Sequence, residues 1–301
     1  MTSSDPDCKP PLLEPVLAVV GVGLIGGSFA AAARASGAAR QILGTGRDRA
    51  SLQRALELGL IDKAVTLPQA LEEADMVMLA TPVGAAASLL ETIQPLLGAN
   101  TVLTDAGSTK LELVHAARRV LGSKLPQFVP GHPIAGAERA GPEAADAGLF
   151  LQRHVVLTPT PETDTGALAR VQNLWTRCGA RVMSMPADRH DRILASVSHV
   201  PHGLAAAYMW QVATATDADE RLALAGSGFR DFTRIAAGSP EVWRDIFLAN
   251  RQAVLQEFDE VRRALDHFEQ LLHDADASTI EDFLERAALA RRLWAGRAQQ
   301  P

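Results

Sequence analysis

From residue 13 to 185 short apolar runs alternate with stretches of helical spacing; beyond Pro186 only the helical spacing remains. Val16–Val20 is apolar and β-branched, which predicts a buried strand, followed by a glycine turn and an alanine-rich helix to about Ser36. Gln41–Gly44 predicts a second strand. Asp48 suits the cap of the next helix, whose Leu52, Ala55 and Leu56 share an apolar face before Gly59 stops it. Asp75–Ala80 predicts a third strand ended by Thr81-Pro82, and helical spacing follows from about Gly84 to Leu97. After the strand Thr101–Thr104, the turn Asp105-Ala106-Gly107-Ser108 leads to a helix from Thr109, with Ser108 as its expected cap. Phe128–Pro130, His154–Thr158 and Arg181–Ser184 predict further strands on the same sheet.

Alternating strands and helices call for an α/β fold with a doubly wound, mainly parallel sheet. The change of pattern places a boundary near Met185, giving a dinucleotide-binding region (13–185) and a helical region (186–301). Residues 1–12, with Pro6, Pro10 and Pro11, lack apolar periodicity and read as a disordered tail. The uncharged run Val16–Ala33 is long enough to suggest a membrane helix, but Gly21, Gly23, Gly26 and Gly27 break it where a strand-to-helix turn belongs. Acidic residues precede it, which argues against a secretory signal. At 47% hydrophobic and 21% charged, the 301-residue chain has ample material for a core. Its formal charge of −6 argues against a general nucleic-acid or anionic-membrane surface. Two cysteines, Cys8 and Cys178, make neither a disulfide framework nor a metal cluster, and a reduced cytoplasmic setting fits.

Gly21-Val22-Gly23-Leu24-Ile25-Gly26 is a G-x-G-x-x-G run after a predicted strand and before a predicted helix, the context that a dinucleotide fingerprint requires. The glycines serve the tight turn, the approach of backbone to pyrophosphate and close helix–strand packing. About twenty residues on, where an NAD-selective site carries an acid, stand Gly46 and Arg47. Without a carboxylate to repel a 2′-phosphate, and with Arg47 to grip it, NADP is favoured over NAD.

Four clusters follow: Asp105-Ala106-Gly107-Ser108-Thr109-Lys110; Gly131-His132-Pro133-Ile134-Ala135-Gly136; His190-Asp191 with Ser198-His199-Val200-Pro201-His202; and Gly228 to Ala236 with Trp243-Arg244-Asp245 beyond. Taken with the Gly-Val-Gly-Leu-Ile-Gly-Gly-Ser opening, their order closely resembles the prephenate/arogenate dehydrogenase family over about residues 16 to 260. The resemblance implies a Rossmann-type domain, binding the cofactor through the glycine loop, Gly46, Arg47, Thr81 and Pro82. It also implies an all-helical second domain that forms a homodimer. By the same resemblance His132 is the catalytic base and Ser108 orients it and the substrate hydroxyl. Arg234 pairs with a substrate carboxylate, His190 and Asp191 belong to an ionic network around that arginine, and His199 and His202 lie near the substrate. Trp243 is a pocket residue reaching across the dimer. A neutral imidazole suits the base's task.

Each residue alone has a structural alternative: Ser108 a helix cap, Arg234 a structural ion pair, Trp243 a core residue. His199 and His202 lack the further ligands that zinc needs, so no metal is expected. Two other functions fit parts of the chain. A β-hydroxyacid or imine reductase shares such a glycine loop, yet no lysine follows Pro126 to serve as the catalytic lysine common in hydroxyacid relatives. A non-catalytic dinucleotide sensor would leave the downstream clusters unexplained. Glu143 is a candidate to attract the ammonium of arogenate, or a solvated loop acid.

Overall fold

The computed structural model describes residues 14–137 and 139–298, so the expected tail and Cys8 lie outside the described residues. The first stretch builds β1 (Glu14–Val20), α1 (Leu24–Ala35), β2 (Ala39–Thr45), α2 (Arg49–Glu57), β3 (Lys63–Ala64), α3 (Leu67–Glu73), β4 (Met76–Leu79), α4 (Val83–Ile93), β5 (Val102–Asp105), α5 (Leu111–Val120) and β6 (Phe128–Val129). These six strands pair in parallel in the order β3-β2-β1-β4-β5-β6. That is the Rossmann order, which places a ligand crevice outside the carboxyl ends of β1 and β4.

Alternation along β1 divides the core. Leu17 and Val19 face one side, with Phe29 of α1; Val16, Ala18 and Val20 face the other, with Leu71, Leu90 and Leu113 of α3, α4 and α5. Both faces are covered, so the strands read as continuous apolar runs. On the first face Trp175 is fully buried, its ring 4.7 Å from Phe29 and 5.0 Å from Phe150. The uncharged run that resembled a membrane helix is thus β1, a turn and α1, and no described helix is long and apolar enough to cross a membrane.

The later strands depart from expectation. β7 (Gly131–Pro133), β8 (His154–Leu157), α6 (Thr165–Arg177) and β9 (Arg181–Ser184) follow β6, and the three strands form a separate sheet in the order β7-β8-β9. β7 runs antiparallel to β8, and β8 parallel to β9. Pro130 has no N–H to continue the ladder of β6, and the chain turns there into β7.

Beyond β9 the described chain is helical: α7 (Ala187–Leu194), a π-helical turn (Ala195–His199), α8 (Val200–Ala213), α9 (Ala218–Ala223), α10 (Ser227–Thr233), a 3-10 turn (Arg234–Ala237), α11 (Pro240–Ala249), α12 (Arg251–Asp274) and α13 (Ala277–Ala298). The chain divides into two compact units, residues through Arg251 and residues 252–301. In the second unit α12 and α13 meet through the stacked rings of Phe268 and Phe283, 5.2 Å apart. Asp276 accepts hydrogen bonds from Ser278 at the start of α13.

Candidate active site

The glycine turn is shaped by contact. A Cβ on Gly21, whose φ is +93°, would lie 2.6 Å from the Ala80 carbonyl oxygen at the end of β4, and one on Gly26 would lie 2.0 Å from the Gly21 oxygen. Both positions exclude a side chain. At Gly23 an added Cβ would meet nothing within 4 Å, so the backbone there borders open space. Gly23 is also the N-cap of α1 and makes no side-chain cap, so the first-turn N–H groups of that helix have no partner from it. Free N–H groups at the positive end of a helix, beside an open backbone surface, fit a pyrophosphate.

At the end of β2, Gly46 and Arg47 are exposed. Asp48 caps α2, accepting from Ala50 N–H at 3.0 Å and Ser51 N–H at 3.3 Å. The Ser51 hydroxyl, with those backbone bonds, holds the Asp48 carboxyl below the usual range. Thr81, next to the exposed Pro82, lines a small cavity with Asp105, Gly107 and Thr109. The hydroxyls of Thr81 and Thr109 are buried with no partner among the described residues.

Across the same carboxyl edge of the sheet stands His132, half-buried in β7. Its Nδ1 lies 2.9 Å from Nε2 of His190, and Nδ1 of His190 lies 2.7 Å from Oδ1 of Asp191. Asp191 also accepts from the backbone N–H groups of Lys110 and Leu111, both at 2.9 Å. A carboxylate can only accept, so Nδ1 of His190 carries the proton. Its Nε2 then accepts from Nδ1–H of His132, and Nε2 of His132 is left with a lone pair. Burial holds His132 well below its ordinary pKa, reinforced by His190, Lys110 and His199. The imidazole is neutral at pH 7, with its basic nitrogen pointing away from the chain that orients it.

His190 is fully buried and Asp191 nearly so. They back the imidazole from the side of α7. Ser108, half-buried, is not the cap of α5; the helix starts at Leu111 with Lys110 as N-cap and no side-chain cap of its own. Asp191, eighty-one positions from Lys110, supplies that cap from α7.

The remaining residues continue from Asp191. The Asn250 amide donates to the Asp191 carbonyl oxygen at 2.7 Å and faces His199 Nδ1 at 3.0 Å. His199 is buried in the π-helical turn, where desolvation pushes its pKa down to about 4, offset in part by Asp191. His199 and His202 both meet Trp243, edge-on at 6.2 Å and stacked at 3.6 Å. Burial lowers the pKa of His202 as well. Arg234 is exposed, in the 3-10 turn that packs against α8, the helix of His202. Glu143 pairs with Arg54 of α2 at 3.1 Å.

The model of the nucleotide-binding domain of prephenate dehydrogenase matches residues 29–184, and that of its dimerization domain matches residues 186–286. The chain belongs to the prephenate dehydrogenase family. A prephenate dehydrogenase of Bacillus subtilis is 35% identical over 91% of this chain and 75% of its own length. A cyclohexadienyl dehydrogenase of Zymomonas mobilis is 31% identical over 91% of this chain and 94% of its own. The crystal structure of prephenate dehydrogenase from Aquifex aeolicus in complex with hydroxyphenyl propionate and NAD+ superposes with a TM-score of 0.87, at 34% identity, over 92% of this chain and 97% of that one. A 3-hydroxyisobutyrate dehydrogenase of Mycobacterium tuberculosis shares the fold alone: TM-score 0.50, 17% identity, 76% of this chain and 72% of that one. This member of the prephenate dehydrogenase family is therefore an oxidoreductase that uses a nicotinamide dinucleotide.

Three site residues escaped the sequence reading of this prephenate dehydrogenase homologue. Asp105 and Lys110 flank Ser108 and form a buried ion pair, and Asn250 joins Asp191 to His199. The signal for the first two was present: a lysine and an aspartate in a strand-to-helix turn whose other residues are uncharged. Nothing local marks Asn250.

Proposed function

We propose that this enzyme oxidatively decarboxylates cyclohexadienyl substrates, accepting both prephenate and arogenate, to give 4-hydroxyphenylpyruvate and tyrosine. The directed chain from Asp191 through His190 to His132 carries the reading, because it leaves one basic nitrogen at the crevice edge of a dinucleotide fold. The names of the relatives support the substrate class.

A bound nicotinamide dinucleotide supplies the hydride acceptor. As hydride leaves the ring carbon, Nε2 of His132 takes the proton of the hydroxyl on that carbon, and a carbonyl begins to form. Ser108, in the turn after β5, orients that hydroxyl. Arg234 holds a substrate carboxylate, a planar donor meeting a planar acceptor. The electron pair of the breaking C–CO2 bond enters the ring, carbon dioxide departs and aromaticity is restored. His202 and Trp243 form an apolar stacked wall beside the ring site.

Cofactor preference follows from β2. Asp48 is engaged in capping and Arg47 is exposed next to Gly46, so the 2′-phosphate of NADP meets a cation and no acid. The regions 13–185 and 186–301 correspond to cofactor binding and to substrate closure with dimerisation. Steady-state kinetics with both substrates and both cofactors test the whole reading. His132→Asn should abolish turnover while cofactor affinity holds, and Arg234→Ala should raise KM steeply with a smaller change in kcat. Full activity in the first variant, or unchanged KM in the second, removes the corresponding role. Arg47→Ala should lower kcat/KM for NADP about tenfold and leave NAD unaffected; equal loss with both cofactors refutes the preference.

A further inference from the structure

The peptide that carries the base is held from the side opposite to its sheet. Thr158 N–H donates to the Pro130 oxygen and Ile134 N–H to the His154 oxygen, both at 2.8 Å, so residues 130, 132 and 134 face β8. By alternation Gly131 turns its N–H and C=O away from β8. Among the described residues no strand pairs with β7 on that side. The Gly131 N–H donates to Asp105 Oδ1 at 3.0 Å, and the Gly131 oxygen accepts from Lys110 Nζ at 2.7 Å. Lys110 also donates to Asp105 Oδ2, which accepts in addition from Gly107 N–H at 2.8 Å. Neither ion is accessible: Lys110 is 0% exposed and Asp105 2%.

A buried ion pair is a costly way to satisfy the two main-chain groups of one residue, and an apolar pair of similar volume generally serves stability as well. What charge adds is direction, since a charge-assisted donor and acceptor fix the group between them more stiffly than neutral partners do. The Gly131 carbonyl shares its peptide plane with the N–H of His132, so Lys110 grips the plane from which the imidazole projects. The fit is close: a Cβ on Gly131 would stand 3.0 Å from the Asp105 carbonyl oxygen and 3.1 Å from Leu157 Cδ2. We propose that the Asp105–Lys110 pair is a positioning device for the base, standing in for a missing strand and fixing the Gly131–His132 peptide so that His132 reaches the substrate hydroxyl. Lys110 and Asp105 touch neither substrate nor cofactor in this role. The proposal rests on His132 being the base.

The test uses the full-length enzyme and the double variant Asp105→Asn/Lys110→Met, which removes both charges together and leaves no lone buried ion. The asparagine oxygen can still accept from Gly131 N–H, while the carbonyl loses its donor. A displaced base should lower kcat about 100-fold, with KM for prephenate and the Kd of the cofactor, titrated by tryptophan fluorescence, changing less than about threefold. Asp105→Asn/Lys110→Gln, which returns a neutral donor toward the carbonyl, should recover part of the rate. Gly131→Ala strains the same peptide from its other side and should show the same loss confined to kcat, which covers the case in which the double variant fails to fold. Wild-type kcat in these variants, or a loss matched by an equal loss of cofactor-binding sites, overturns the proposal. His132→Asn is measured beside them. If it is inactive while the double variant is fully active, only the positioning role falls; if it retains turnover, the base assignment falls and this proposal with it.

Discussion

The Asp191 carboxylate accepts three hydrogen bonds, from His190 and from the N–H groups of Lys110 and Leu111, and an asparagine would offer an N–H to at least one of these donors. The expected outcome of Asp191→Asn is reversal of the proton order along His190 and His132, with kcat falling by about 10³ to 10⁴, the scale of loss that follows a wrong tautomer in a Ser-His-Asp triad. A cofactor Kd that stays close to wild type, measured by titration, separates this from unfolding. The low pKa of His132 has its own signature. Its neutral form persists below the ordinary imidazole range, so the acid limb of kcat/KM should bend at a pH below 6.5; an inflection at or above 6.5 would contradict the burial of the base. At this scale the sequence marked His132, His190 and Asp191 through short motifs, but not their order. Hydrogen bonding between residues 58 positions apart depends on the tertiary fold, and adjacency in the chain says nothing of it.

Elements show the same division between local and distant causes. The strand-to-helix turns, the Asp48 cap and the helical run after residue 186 were legible because each depends on neighbours in sequence. Assignment of β8 and β9 to a second sheet was not, because an apolar run carries no label for the strand it will pair with. Nor was the cap of α5, which comes from α7. The π-helical turn that ends in His199 is likewise unmarked by composition, although such turns often accompany sites. Its buried histidine predicts a pH effect on stability. The folded pKa of about 4 lies below the unfolded value near 6.5, so acid favours the unfolded chain. The stabilisation is complete above pH 6.5 and is lost as pH falls toward 4, with His199 accounting for on the order of 3 kcal/mol. Urea titrations at pH 7 and pH 4.5 check this, and His199→Gln should flatten the difference; equal flattening by a change at exposed His273 would argue against it.

In the whole molecule, apolar side chains crowd the surface of the helical regions. Trp210, Leu224 and Leu248 are 72%, 87% and 66% exposed in the first unit, and Leu265, Leu293 and Trp294 are more than half exposed in the second. Large apolar side chains exposed in this way mark candidate contact surface. A second copy is the expected cover, consistent with the dimerization-domain match over residues 186–286. Light scattering on the purified protein should give twice the 32.0 kDa chain mass, and a monomer at micromolar concentration would refute the dimer. One further consequence belongs to Asp191. It lies within the stretch matched as the dimerization domain, yet the imidazole it directs and the helix it caps lie within the stretch matched as nucleotide-binding. Exchange of either half with a homologue at residue 185 would therefore transplant a proton acceptor without its director. Such chimaeras should work only when the donor sequence supplies a matching His-Asp pair, which makes the seam a point of shared inheritance for the two halves.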